Sequence, residues 1–327
     1  MEERVLKTIE KYKLIESGDG VLIAVSGGPD SMCLLDILNK LKEKLNIKIA
    51  VVHVNHGIRE EANEETEYIK NYCEKYNIKI YVKYEKVVEL AKQNKIGLEE
   101  AGRKVRYDFF DEVLQETKFN KIAIAHNMND KVETILMNII RGSGSLGLKG
   151  IEPKRENKYI RPLIEIERKD IEEYCSKNKL NPKFDKSNND NTYTRNKIRN
   201  ILIPFIKKEF NPNVIKGINN LSEIVTEEQN YLEKIVNNIY SQIKIEEDKD
   251  KVILDLKEFN KQDTIIKKRL LLLSVNKIFG SSKNIEKIHI EDIIKLCERN
   301  IGNKYLTPNK NIKFFVNKGK IIITHTY

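Results

Sequence analysis

"VLIAVSGGPDSMCLLDIL", residues 21–38, decides the architecture. Val21 to Val25 are apolar on both alternating faces, the pattern of a strand buried on both sides of a parallel sheet. Past the polar knot Ser26-Gly27-Gly28-Pro29-Asp30-Ser31, the residues Met32, Leu34, Leu35, Ile37, Leu38 and Leu41 recur at helical spacing, with Asp30 and Ser31 where a helix begins. The knot is therefore a strand-to-helix turn. Its two glycines let backbone come close to a ligand, and the N–H groups and positive dipole end of the new helix seat an anion, phosphate first among the candidates. A tight turn with a capping Asp is the plainer reading of the same residues.

The knot is not the G-x-x-x-x-G-K-S/T phosphate loop, because no Lys follows its glycines. The stretch from Gly142 to Lys149 resembles that loop superficially, but its Lys falls one place late with no Ser or Thr behind it, and it reads as a flexible loop. S-G-G-x-D-S instead resembles the loop of the ATP pyrophosphatases, which cut between the α and β phosphates.

Working outward, Ile47–Val54, Ile78–Tyr84 and Lys121–His126 read as further strands, alternating with helical patterns such as "LEEAGRKVRYDFFDEVLQE" and "NDKVETILMNIIRG". Strands alternating with helices predict an α/β fold with a doubly wound, mainly parallel sheet. Ligands of such sheets lie at the carboxyl ends of strands, where Ser26–Ser31, His53–Gly57 and His126–Asp130 all fall. Beyond residue 150 comes a short extended piece and a helix, then the polar loop "NPKFDKSNNDNTYTRNKIRN". Asn213–Ile245 has helical periodicity, Glu246–Lys251 reads as a charged linker, and Val252–Leu256, "IKFFV" and "IIITH" read as strands around two more helices. The expected division is a catalytic domain over 1–210, a helical linker over 211–250 and a small α+β domain over 251–327.

The net charge of +10 is uneven: residues 141–210 hold 17 Lys or Arg against 10 Asp or Glu. A basic segment beside a phosphate site suggests a polyanionic substrate, with a Lys-rich composition as the bland alternative. No apolar run approaches membrane-spanning length, and no signal peptide is expected. The four cysteines, Cys33, Cys73, Cys175 and Cys297, lack CxxC spacing, which argues against a zinc ribbon, a disulfide framework or a persulfide-carrying pair. A soluble protein with reduced thiols in a cytoplasm is expected.

In order, "SGGPDS", "VNHGIR", "GLEEAGRKVRY", "AHNMNDKVETILMNIIRGSGSLGLKG", "RPLIEIERKDIEEYC" and "DKSNNDNTYTRNKIRNILIPFI" resemble the signature blocks of the tRNA(Ile)-lysidine synthetase family, over roughly residues 18–210. The resemblance implies a PP-loop fold of the adenine nucleotide alpha hydrolase type and a ligase forming a C–N bond. It implies that ATP and Mg²⁺ serve to adenylate carbon 2's carbonyl oxygen on the wobble cytidine of isoleucine tRNA with a CAU anticodon. The ε-amine of free L-lysine then displaces AMP.

Residue by residue, the resemblance assigns Ser26, Gly27, Gly28, Pro29 and Ser31 to the leaving diphosphate, and Asp30 to Mg²⁺ and catalysis. His53, Val54 and Asn55 would border the adenosine, although a packed strand end is an equal reading. Arg103 and Arg106 share a helix face, Arg106 being favoured for ATP. His126 would touch ATP, while Asp130 and Glu133 would serve Mg²⁺ or proton handling as lysine attacks, Asp130 being the better metal candidate. The chain departs here from the family's H-H-x-D-D-x-x-E-T, with Asn127 and Asn129 for the second His and first Asp. Arg195 would clamp the α-phosphate or the anticodon backbone, with Asn196 and Arg199 beside it on the tRNA. Asp185, Ser187, Asn188, Asp190 and Tyr193 are read as ordering their own loop. The terminal module would meet the tRNA acceptor or core; longer members continue with one more domain. Homodimerisation is left open. A PP-loop thiolase would want paired cysteines or an iron-sulfur cluster, an amidotransferase would need a domain ahead of the loop, and a non-catalytic RNA-binding protein would have no use for Asp30, Asp130 and Arg195.

Overall fold

Val21 and Ile23 enter one hydrophobic core and Leu22 the other, so the strand that carries them, β1 (Gly20–Ala24), runs through the middle of a sheet covered on both faces. The structure is a computed structural model and describes residues 1–57, 61–183, 191–280, 285–299, 305–309 and 311–326. Two compact units divide the chain, 1–226 and 227–327.

The first unit opens with α1 (Glu2–Tyr12), β1, α2 (Pro29–Leu45), β2 (Lys48–Asn55), α3 (Glu61–Lys75) and β3 (Lys79–Tyr84). It continues with α4 (Val87–Asn94), α5 (Leu98–Glu116), β4 (Lys121–Ala123), α6 (Met128–Ile140), β5 (Lys154–Arg155), β6 (Tyr159–Ile160) and α7 (Arg168–Lys177). The sheet order is β3-β2-β1-β4-β6-β5, parallel throughout except for β5. The chain winds from β1 out to β3 and resumes at β4 on β1's other side. The carboxyl ends of β1 and β4 therefore diverge, which opens a crevice at that switch point. The stretch expected to be a flexible loop holds a short 3₁₀ turn, Ser145–Lys149.

After α7 come α8 (Thr194–Lys197), a π turn over Ile198–Leu202, and α9 (Ile203–Glu209), which together form one helical rod. Pro204 has no N–H to give to the turn before it, which accounts for the widened π geometry. Ile198 and Ile203 pack with Met128 and Val132 of α6 and with Val214 and Ile215, so the rod is held against α6. The following helix, α10 (Val214–Ile243), carries residues of both units.

In the second unit, β7 (Lys244–Glu247), β8 (Lys251–Asp255), α11 (Leu256–Asn260), α12 (Thr264–Phe279), α13 (Lys287–Arg299), β9 (Tyr305–Asn309), β10 (Ile312–Asn317) and β11 (Lys320–His325) follow. The antiparallel order is β7-β8-β11-β10-β9, packed over Phe259, Leu270 and Phe314. Part of the stretch read as a charged linker is thus the edge strand β7, whose exposed Lys and Glu side chains discourage further strand pairing. Among the described residues no helix is long and apolar enough to cross a membrane.

Candidate active site

The turn between β1 and α2 is organised by Ser31. Its Oγ accepts the Ser26 N–H at 3.1 Å and donates to the Gly28 carbonyl at 3.0 Å. Gly27, at φ +87°, makes the bend that other residues resist. Lys183 N–H donates to the Gly27 carbonyl at 3.1 Å, so the segment after α7 docks on this loop. The first N–H groups of α2 have no carbonyl behind them and are left for an anion.

Asp30, in the first turn of α2, receives the Asn127 Nδ2 on its Oδ1 at 2.9 Å. Burial and the nearby Asp130 push its carboxyl up to about 6, against the pull of Arg168, the Asn127 hydrogen bond and Arg199. Asn127 is the N-cap of α6: its Oδ1 takes the Asp130 N–H at 3.0 Å while Asp130 Oδ2 takes the Asn127 N–H at 3.1 Å. Asn129 has its own task, accepting the Arg168 N–H at the start of α7 at 3.0 Å. The two asparagines that depart from the family pattern therefore cap α6 and receive an unpaired donor of α7.

Beneath the cleft lies an ion cluster. Glu133 is almost wholly buried. Its oxygens receive Arg195 Nε at 2.9 Å, Arg199 Nε at 2.7 Å and a second Arg199 nitrogen at 2.8 Å. Asp130 Oδ1 faces Arg168 at 3.2 Å, Arg199 at 3.2 Å and Arg195 at 3.4 Å. Burial works against the Arg199 charge, but Glu133, Asp130 and Asp30 hold its guanidinium above the usual range. Packing of the rod on α6 brings these partners together across more than sixty residues of sequence.

The cleft at the switch point has a volume of about 640 Å³, within the span typical of ligand sites. Ser26, Gly28, Pro29, Asp30, Ser31, His53, Asn55, Arg106, His126, Asp130 and Arg199 border it, as do Val54 and Arg103. Gly27 shapes the loop without bordering the cleft, Glu133 lies under it, and Arg195 borders an adjoining cavity of about 360 Å³ together with Arg103 and His126. Asn196 borders neither cavity. Arg195 and Arg199, expected on the α-phosphate or the tRNA, are both paired with Glu133, because a buried carboxylate requires cations. Asp185, Ser187, Asn188 and Asp190 fall outside the described residues; Tyr193 is described and exposed.

His53 and Asn55 are buried and hydrogen-bonded within the fold. His53 meets the Val25 carbonyl at 2.8 Å and Thr66 Oγ1 at 2.9 Å, and Asn55 holds the turn into α3 through Gly57, Asn63 and Thr66. His126 Nδ1 accepts Arg161 Nε at 3.0 Å. Burial, with Arg161, Arg195, Arg103 and Arg106 around it, pushes the ring down to about 3. The neutral ring therefore carries its proton on Nε2 and offers a donor. Among the described residues Arg103 and Arg106 have no carboxylate partner; the Arg103 guanidinium lies 4.6 Å over the Tyr107 ring. Sequence reasoning passed over Arg161, Arg168, Lys183 and His56. The first two lie in the quoted "RPLIEIERKDIEEYC" block, whose membership of the signature series was the available signal.

Among the described residues no group of three or more His, Cys, Asp or Glu could hold a metal ion. Asp130 is taken up by arginines and by its helix cap, whereas Asp30 Oδ2 has no partner among the described residues. One half-buried carboxylate oxygen fits Mg²⁺, which is commonly held by one or two carboxylates together with substrate phosphates.

The fold and its lysine-free glycine turn define a PP-loop protein, and the family profile described as a PP-loop domain matches residues 1–206. The solved structure of the U34-tRNA thiolase NcsA from Methanococcus maripaludis shares this fold, with a TM-score of 0.55 and 21% identity over 68% of this chain and 77% of that one. The tRNA(Ile)-lysidine synthase of Clostridium acetobutylicum is 47% identical over 98% of this chain and 69% of its own length. That of Clostridioides difficile is 42% identical over 99% of this chain and 70% of its own. The chain belongs to the tRNA(Ile)-lysidine synthase family.

Proposed function

We infer that the chain ligates L-lysine to the wobble cytidine of isoleucine tRNA bearing a CAU anticodon, at the expense of ATP. The observation that carries this reading is the cleft itself: the Ser26–Ser31 turn, the Asp30 carboxylate and the guanidiniums of Arg103 and Arg106, which have no carboxylate partner among the described residues, face one another at the switch point of a PP-loop sheet. The cytosine carbonyl is a poor electrophile. Attack of its oxygen on the α-phosphorus breaks the bond to the β-phosphate, so diphosphate leaves and an AMP ester forms. The lysine amine then adds at carbon 2, the carbon–oxygen bond breaks, AMP departs, and a proton from the amine passes to solvent or a base.

The loop amides and Ser31 suit the diphosphate as it leaves, and Arg106, Arg168 and Arg199 suit the charge that gathers on the phosphates. Mg²⁺ held on Asp30 would supply further neutralisation of that charge. His126, protonated on Nε2, donates to an oxygen and does not take a proton. Glu133 serves as the anchor that aims Arg195 and Arg199. Val52, Val54, Phe110 and Ile124 supply the apolar surface for an adenine ring.

The test is incubation of the protein with ATP, labelled lysine and a CAU-anticodon isoleucine tRNA transcript. Label should enter the RNA in step with AMP release. ATP consumed without lysine transfer, under conditions where the RNA is bound, would contradict the reading.

A further inference from the structure

The rod from α8 to α9 has two unlike faces. One turns Arg199 and Ile198 inward, to the ion cluster and the core. The other exposes, at roughly one-turn intervals, Tyr193, Lys197, Ile201, Phe205 and Lys208, and Phe210 follows at its end. Phe210 is 74% exposed and Phe205 54%, and their rings meet edge to face at 5.7 Å. Apolar rings left in water at this density mark a surface that meets something.

We propose that this outer stripe is a docking surface for single-stranded RNA, taking two or three unstacked bases of the anticodon loop against its rings while its lysines meet the intervening phosphates. Two features select this occupant. Lysine is depleted at protein–protein interfaces, so a stripe that alternates Lys with aromatic residues is poorly suited to a second copy of the chain. Single-stranded RNA calls for that alternation, ring faces for bases and cations for phosphates. Charge agrees as well, since the stripe lies in the segment with 17 basic against 10 acidic residues. At about 1.5 Å per residue the stripe is about 18 Å from Tyr193 to Phe205, room for about three extended nucleotides. Its N-terminal end belongs to the same helix as Arg195 and Arg199, so a strand lying along it leads to the cleft.

The proposal rests on the tRNA reading above, and its test separates the two. Fluorescence anisotropy on the full chain would give dissociation constants for the CAU-anticodon isoleucine transcript and for its isolated anticodon stem-loop at fixed salt. The double variant Phe205→Ala/Phe210→Ala should weaken both by at least about tenfold. ATP affinity and the thermal midpoint should hold, because both rings are exposed. Phe205→Tyr, which preserves a ring face, should bind as the unaltered chain does. Unchanged RNA affinity in the double variant would overturn the surface alone, and so would a change in oligomeric state by light scattering without loss of RNA binding. Failure of the unaltered chain to bind either RNA would overturn the tRNA reading and the surface with it.

Discussion

Asn127 Nδ2 lies 2.9 Å from Asp30 Oδ1, while the same side chain's oxygen receives the Asp130 N–H at 3.0 Å. One amide thus ties the glycine turn after β1 to the first turn of α6, across the point where the sheet reverses its winding. Asn127→Ala should cost about 1 kcal/mol of stability through the lost cap and reduce turnover by about tenfold or more through a mobile Asp30. Asn127→Asp keeps the cap acceptor but sets a carboxylate against Asp30. It should fold nearly as well and turn over worse. Denaturant midpoints read beside initial rates check both; equal rates in the two variants and the parent would remove the tie from the account.

Glu133 is the buried anchor of two guanidiniums, so Glu133→Gln should destabilise the first unit by about 2–3 kcal/mol by leaving cations with too little countercharge. Combining it with Arg199→Gln should cost less than the two losses added together. A double-mutant cycle in urea measures that coupling, and strict additivity would show the pair to be energetically independent.

Acid should weaken the fold through its buried imidazoles. Burial holds His126 down to about 3 and His56 down to about 4, and it lowers His53 as well. In the unfolded chain these rings bind protons near pH 6.5. The unfolded state therefore holds more protons below that pH, and stability present above it is lost as pH falls toward the folded values. Urea midpoints should drop between about pH 7 and about pH 5, and His126→Gln should drop less. A parent midpoint that rises on acidification would reverse the sign of this argument.

RNA affinity should fall steeply with salt, and Lys197→Gln/Lys208→Gln should flatten the slope of log affinity against log salt by about 1–2. Titrations at several potassium concentrations supply the slope. An unchanged slope would separate these lysines from the phosphates.

The sheet was legible in residues 21–38 because a strand buried on both faces has no polar alternation, and the switch point followed from the rhythm of the next hundred residues. The same stretch placed Asp30 and the loop. What the sequence did not disclose was pairing at a distance. Nothing in the order of residues says that Arg195 and Arg199 meet Glu133, sixty-odd positions away; that depends on how the rod packs on α6. His53 and Asn55 sit at a strand end in either reading, and only their hydrogen bonds to Val25, Gly57 and Thr66 show that their side chains serve the fold. Arg168 was missed because its segment was read for total charge, and no single arginine in it is marked out until α7 is seen to start at the cleft.

The most direct test of the central claim uses ATP labelled at either the α or the γ phosphorus, with the CAU transcript and lysine present, and separates the products by chromatography. The account predicts that the α label appears in AMP and the γ label in diphosphate, in equal amounts, and that Asp30→Ala abolishes both. Release of the γ label as orthophosphate with ADP would contradict it.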